Sequence, residues 1–137
     1  MKNIAIVTTT RAEYGLLKPV IELIEKSTIL ASHLIVSGTH LSTIHGNTID
    51  VINEDRFNIA SSIDLRLADN SKRGICESFC LATSGFSAYL QHNPIDCVLL
   101  LGDRFEILSF AVAALLHNVP IAHIHGGEVT AGAIDDS

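Results

Sequence analysis

Four short stretches, residues 4–7 (Ile-Ala-Ile-Val), 33–36 (His-Leu-Ile-Val), 97–101 (Cys-Val-Leu-Leu-Leu) and 121–124 (Ile-Ala-His-Ile), carry apolar side chains with little or no polar alternation. A strand with one wet face alternates polar and apolar residues. Runs apolar on both sides therefore belong to strands covered by helices on both faces, the situation of a parallel sheet. The segments between them have helical period. Residues 12–26 place Leu16, Leu17, Val20, Ile21 and Ile24 on one face, and residues 72–92 place Ile75, Cys76, Phe79, Leu81, Phe86, Tyr89 and Leu90 mostly at helical spacing. Asn93-Pro94 ends the second of these, because proline cannot continue a helix. A further helix is predicted over 104–117, a short one over 48–53, and a strand over 59–63. Strand and helix thus alternate through the whole chain, which predicts an α/β fold: a three-layer, Rossmann-like parallel sheet with the common strand order 3-2-1-4-5.

The chain has 137 residues, 47% of them hydrophobic and 18% charged, enough for one core and too little for two ordinary domains. A single domain over 1–137 is expected. The final segment, Ala133-Ile134-Asp135-Asp136-Ser137, reads as the entry to a helix, so the domain is expected to be truncated from a longer protein. A net charge of −6 with only nine scattered Lys and Arg gives no basic patch, so neither nucleic acid nor an acidic membrane is an expected partner. No run approaches the roughly 18 apolar residues of a membrane span, and the amino terminus is no signal peptide, so a soluble, cytoplasmic protein is expected. Cys76, Cys80 and Cys97 lie among apolar neighbours and are expected to be reduced, buried thiols. Cys76 and Cys80 are four apart, but no His or Cys pair completes a second half-site, so no metal is expected.

In an open parallel sheet, ligands bind beyond the carboxyl ends of the strands, where the strand order reverses. The first, second, fourth and fifth strands each deliver polar or glycine-rich residues to that rim. Thr8-Thr9-Thr10-Arg11-Ala12-Glu13 follows the first, Ser37-Gly38-Thr39-His40 the second, Gly102-Asp103-Arg104 the fourth and His125-Gly126-Gly127-Glu128 the fifth. The first and fourth strands adjoin at the reversal, bringing Arg11, Asp103 and Arg104 to one crevice, with Glu128 one strand further on. Asp103 has two readings, a site carboxylate or a cap for the next helix. Arg11 and Arg104 sit at helix starts, where a cation is disfavoured, and two of them there suggest an anion to be bound. Gly126 and Gly127 serve either to turn the chain or to let a ligand approach the backbone. His123 and His125 read as hydrogen-bonded rim residues, and His40, His45 and His117 as structural. No G-x-G-x-x-G follows the first strand, so bound NAD or FAD is not expected.

The stretches Thr10-Arg11-Ala12-Glu13-Tyr14, Gly46-Asn47-Thr48, Gly102-Asp103-Arg104-Phe105-Glu106 and the thirteen residues from His125 to Ser137 occur in this order along the chain. In this they resemble the hydrolysing UDP-N-acetylglucosamine 2-epimerases of sialic- and legionaminic-acid pathways. The last stretch is the most specific, with its glycines and carboxylates in place. The resemblance implies the amino-terminal half of a two-domain enzyme of glycosyltransferase-B type. The substrate would lie in the cleft between domains, and a carboxyl-terminal nucleotide-binding domain is absent from this chain. It implies acid/base roles for Asp103, Glu128 and one of Asp135 and Asp136, substrate contacts for Arg11, Arg104, Gly126 and Gly127, and no metal or redox cofactor. The reaction implied eliminates UDP from the UDP-sugar and adds water to give N-acetylmannosamine. One side of such a cleft is expected to be inactive alone. Two alternatives remain, a glycosyltransferase domain on the same architecture and a non-catalytic association module. The second draws on the helix over 104–116, apolar almost all round, which predicts a homo-oligomer formed through it.

Overall fold

The computed structural model describes residues 1–41, 48–65 and 71–124, without the Thr39 side chain. In chain order the elements are β1 (Lys2–Thr8), α1 (Arg11–Lys26), β2 (Leu30–Ser37), a 3-10 turn (Gly38–Leu41), α2 (Ile49–Glu54), β3 (Ile59–Ile63), α3 (Lys72–His92), β4 (Cys97–Leu101), α4 (Phe105–Leu116) and β5 (Ile121–Ile124). The five strands form one parallel sheet in the order β3-β2-β1-β4-β5, as expected. In the pairing at the reversal, Ile4, Ala5 and Ile6 of β1 lie opposite Cys97, Val98 and Leu99 of β4.

The sheet residues point alternately to two cores, which is why the strands carry no polar alternation. Ala5, Val7, Ile35, Val98 and Leu100 pack on one face with Phe86 of α3 and Ile107 and Phe110 of α4. Ile6, Leu34, Val36, Leu99 and Leu101 pack on the other with Tyr14, Leu17, Ile21 and Ile24 of α1 and Ile52 of α2. The two phenyl rings Phe86 and Phe110 meet edge to face, 5.2 Å between centroids, and the Thr83 hydroxyl donates to the Ser109 carbonyl at 3.0 Å, joining α3 to α4.

Two helices turn differently from the sequence reading. On α1, Leu16 is exposed, and the buried stripe is Tyr14, Leu17, Ile21 and Ile24, with Val20 at its edge. Leu16 and Leu17 are adjacent and about 100° apart on a helix, so only one can face the sheet. On α3 the buried residues are Gly74, Ser78, Ala82, Phe86 and Leu90, one in four, while Ile75, Cys76, Cys80 and Leu81 are exposed. Small residues win the inner face because the helix lies close to its neighbours. A Cβ added at Gly85 would come within 2.8 Å of Ile63 Cγ2, and the Ser78 hydroxyl donates to the Leu65 carbonyl at 2.7 Å. The cysteine expectation is corrected accordingly: all three thiols are free, but Cys76 and Cys80 are exposed and Cys97 is half-buried.

Helix α4 buries Glu106, Ile107, Ser109, Phe110, Ala113 and Ala114 and leaves Leu108, Leu115 and Leu116 exposed, with Phe105 and Val112 half-buried. No described helix is long and apolar enough to cross a membrane.

Candidate active site

Helix α1 starts immediately beyond the end of β1. Thr10 is its N-cap, its hydroxyl accepting from the Glu13 N–H at 3.1 Å. Glu13 reaches back so that its Oε1 accepts from the Thr9 N–H at 3.0 Å and the Thr9 hydroxyl at 2.6 Å. This is a capping box displaced by one residue, and it presents Arg11 as an exposed residue in the first turn. Beyond β4 the chain turns through Gly102, at φ +94°, where an added Cβ would touch Glu13 Oε2 at 3.4 Å. Asp103 and Arg104 follow, both exposed. The structure thus brings Arg11, Asp103 and Arg104 to the carboxyl ends of the adjoining strands β1 and β4, as the sequence predicts.

Asp103 does not cap α4. The N-cap is Arg104, whose side chain makes no cap bond, and the Asp103 carboxylate has no hydrogen bond to any described residue. His123 is a rim residue bound to the loop, its Nε2–H donating to the Gly102 carbonyl at 2.5 Å. The Gly102 N–H donates to the Ile124 carbonyl at 3.2 Å, which fixes the β4 loop against the end of β5. His117 is structural, bonded to the Ser87 hydroxyl at 2.7 Å. Gly126, Gly127, Glu128, Asp135 and Asp136 lie outside the described residues, as do His45 and His125.

Two buried carboxylates in the crevice escaped the sequence reading as site residues. Glu13 is 8% exposed, and burial pushes its carboxyl above the ordinary range; the Glu106 charge adds to that rise, while the Thr9 bonds and the Arg104 charge oppose it. Glu106 is 1% exposed and accepts two bonds from Arg104, Nε to Oε2 and Nη2 to Oε1, each 3.1 Å. Both were visible as patterns. Thr10 and Glu13 have capping-box spacing, and Glu106 is the one charge in a helix whose only other polar residue is Ser109, on the same face as Phe110 and Ala113.

His40 is fully buried beside the rim, its Nε2 2.8 Å from the Thr8 hydroxyl and its Nδ1 2.8 Å from that of Thr48. It ties β1 to the start of α2, and Tyr14 supports it edge-on while donating to Asp55 Oδ2 at 2.5 Å. Burial pushes the His40 imidazole down to about 4. The unfolded chain, with its imidazole near 6.5, therefore takes up the proton first as pH falls. The stability that neutral His40 contributes is complete above about pH 6.5 and is lost progressively down to about pH 4, about 3 kcal/mol in all. Urea unfolding at pH 7 and 4.5 is expected to show this loss in the wild type and a smaller one in His40→Gln. Equal losses would contradict it.

Residues 22–137 match the family described as UDP-N-acetylglucosamine 2-epimerase. Polysialic acid biosynthesis protein P7 of Escherichia coli is 38% identical over 99% of this chain and 35% of its own length. The GDP/UDP-N,N'-diacetylbacillosamine 2-epimerase (hydrolyzing) of Campylobacter jejuni is 42% identical over the same shares. The chain therefore spans about a third of the length of these curated relatives. A crystal structure of UDP-GlcNAc 2-epimerase from Neisseria meningitidis bound to UDP-GlcNAc superposes with a TM-score of 0.77, at 23% identity, over 96% of this chain and 34% of that one, which shows the shared fold. With the family matched over most of its length and both relatives aligned almost end to end, this chain belongs to the UDP-N-acetylglucosamine 2-epimerase family.

Proposed function

We propose that the chain is the amino-terminal domain of a hydrolysing UDP-N-acetylglucosamine 2-epimerase that supplies N-acetylmannosamine for sialic-acid-type sugars. The observation that carries this reading is the placement of Arg11, Asp103 and Arg104 at the strand reversal in a chain of this family. The C2 proton of the sugar is not acidified by a carbonyl, so its removal needs UDP to depart from C1. A carboxylate takes the C2 proton, the C1–O bond to UDP breaks, and 2-acetamidoglucal forms. Water then adds, its oxygen to C1 and a proton to C2 from the opposite face. Asp103 and Glu128 carry the proton transfers with Asp135 or Asp136 as a third acid, while Arg11 and Arg104 brace the diphosphate as negative charge grows on it. Gly126 and Gly127 let the sugar approach the backbone. The rest of the nucleotide grip belongs to a carboxyl-terminal domain outside the 137 residues, so these residues alone have no activity.

The full-length protein incubated with UDP-N-acetylglucosamine is expected to release N-acetylmannosamine and UDP. Parallel incubation with the 2,4-diacetamido-6-deoxy analogue, to which the name of the Campylobacter relative points, identifies the preferred sugar. Faster release from the analogue would move the substrate assignment, and transfer of the intact sugar to an acceptor would replace the epimerase with a glycosyltransferase.

The exposed leucines of α4 support a homodimer. Leu115 and Leu116 are 68% and 73% exposed, and burying a leucine stabilises by roughly 1.5–3 kcal/mol. Light scattering of the full-length protein is expected to give twice the subunit mass, and Leu115→Glu with Leu116→Glu to halve it. An unchanged mass in that variant would place the interface elsewhere.

A further inference from the structure

We propose that Glu106 is a positioning residue that holds the Arg104 guanidinium as a preset anion-binding fork at the crevice; this rests on the reading that Arg104 meets the substrate diphosphate. Glu106 is the only charged residue of α4, and its carboxylate is 1% exposed. A buried carboxylate is strongly unfavourable unless it is paired and hydrogen-bonded. Its partner is Arg104, two residues earlier, which donates from Nε and Nη2 at 3.1 Å each. Helix stability does not account for the pair. Arg104 stands at the N-cap, the positive end of the helix, where a cation is disfavoured and where its side chain caps nothing. Glu106 alone would suit that first turn and would remain hydrated if turned outward.

The geometry instead separates the two edges of the guanidinium. The edge formed by Nε and one N–H of Nη2 is bound inward to Glu106, while the Arg104 side chain is 52% exposed. A guanidinium has five N–H donors, and the three not bound to Glu106 make no hydrogen bond to a described residue. Glu13, the second buried carboxylate of the crevice, interacts electrostatically with both members of the pair. Arg104 therefore has buried negative charge behind it and its free edge exposed at the sheet's rim, oriented before any ligand arrives. An arginine fixed in this way loses less freedom on binding than one moving in solvent.

Steady-state kinetics of the full-length protein test the inference. Arg104→Ala is expected to raise KM for the UDP-sugar about tenfold or more. Glu106→Gln, which keeps the shape but presents a donor to a donor, is expected to raise KM about fivefold with kcat changed less than about twofold. The double variant is expected to be no worse than Arg104→Ala alone, since Glu106 acts through the arginine. A merely structural glutamate would lower activity again in the Arg104→Ala background, and that result would overturn the proposal. So would a Glu106→Gln KM within about twofold of wild type while Arg104→Ala is impaired. An Arg104→Ala KM equal to wild type would remove the diphosphate reading itself, and this inference with it. Should Glu106→Gln fail to fold, Arg104→Lys carries the test. It keeps the charge and loses the fork, so a raised KM supports the proposal and an unchanged one overturns it.

Discussion

Asn in place of Asp103 in the full-length enzyme is expected to lower kcat by about 10²-fold or more while leaving the fold intact, the low end of the range for a general acid or base. The structural cost is small for a stated reason. Asp103 is exposed on the loop between β4 and α4, caps nothing, and makes no hydrogen bond to a described residue. Removing its charge strands no buried partner, so the effect falls on the proton chemistry. Glu128→Gln is expected to behave alike, whereas Arg11→Ala acts mainly through KM, because a bound diphosphate is braced before the transition state as well as in it. An Asp103→Asn or Glu128→Gln enzyme retaining more than about a third of wild-type turnover would remove that residue from the catalytic set.

Gly38→Ala is expected to destabilise the domain by roughly 2–5 kcal/mol, the sum of left-handed backbone strain and overpacking. Gly38 stands at φ +63° directly after β2, and an added Cβ would lie 2.6 Å from the Thr9 carbonyl oxygen and 2.8 Å from Thr9 Cβ. The obstacle is largely backbone and cannot swing away. Thr9 is also the residue that anchors Glu13, so the disturbance reaches the crevice. Gly15 provides the contrast, exposed on α1 with nothing within 4 Å of an added Cβ; Gly15→Ala is expected to stabilise by up to about 1 kcal/mol. Urea midpoints measure both. A Gly38→Ala protein within about 0.5 kcal/mol of wild type would contradict this packing of the β2 turn on the β1 loop.

The architecture was legible because it rests on the least ambiguous signal in the chain. The expected limits of β3, α3, β4 and β5 coincide with those observed, since their apolar runs are closed by polar residues, glycine or proline. Strands β1 and β2 begin ahead of the apolar runs read from the sequence, at Lys2-Asn3 and Leu30-Ala31-Ser32, where the ladder pairs Lys2 with Leu30 and Asn3 with Ala31 and so extends both strands. What a helix buries was harder to read. On α3 the large residues Ile75 and Leu81 lost the inner face to Gly74, Ser78 and Ala82, because the distance of closest approach and not hydrophobicity chose the stripe. The same limit hid the crevice carboxylates. Glu13 and Glu106 belong to recognisable stretches, but their burial, and the fork that Glu106 makes with Arg104, depend on where β1 and β4 bring their loops. Arg11, Asp103 and Arg104 were legible for the opposite reason: each follows a strand directly, and strand order alone fixes its place.

The fate of the hydrogen at C2 of the sugar tests the central claim most directly. Full-length enzyme turning over UDP-N-acetylglucosamine in deuterium oxide, followed by nuclear magnetic resonance, is expected to give free UDP and N-acetylmannosamine carrying one solvent deuterium at C2. The incorporation should be lost together with turnover in Asp103→Asn. A product that keeps its original C2 proton would contradict elimination and re-addition at this crevice, and with it the roles assigned to Asp103 and Glu128.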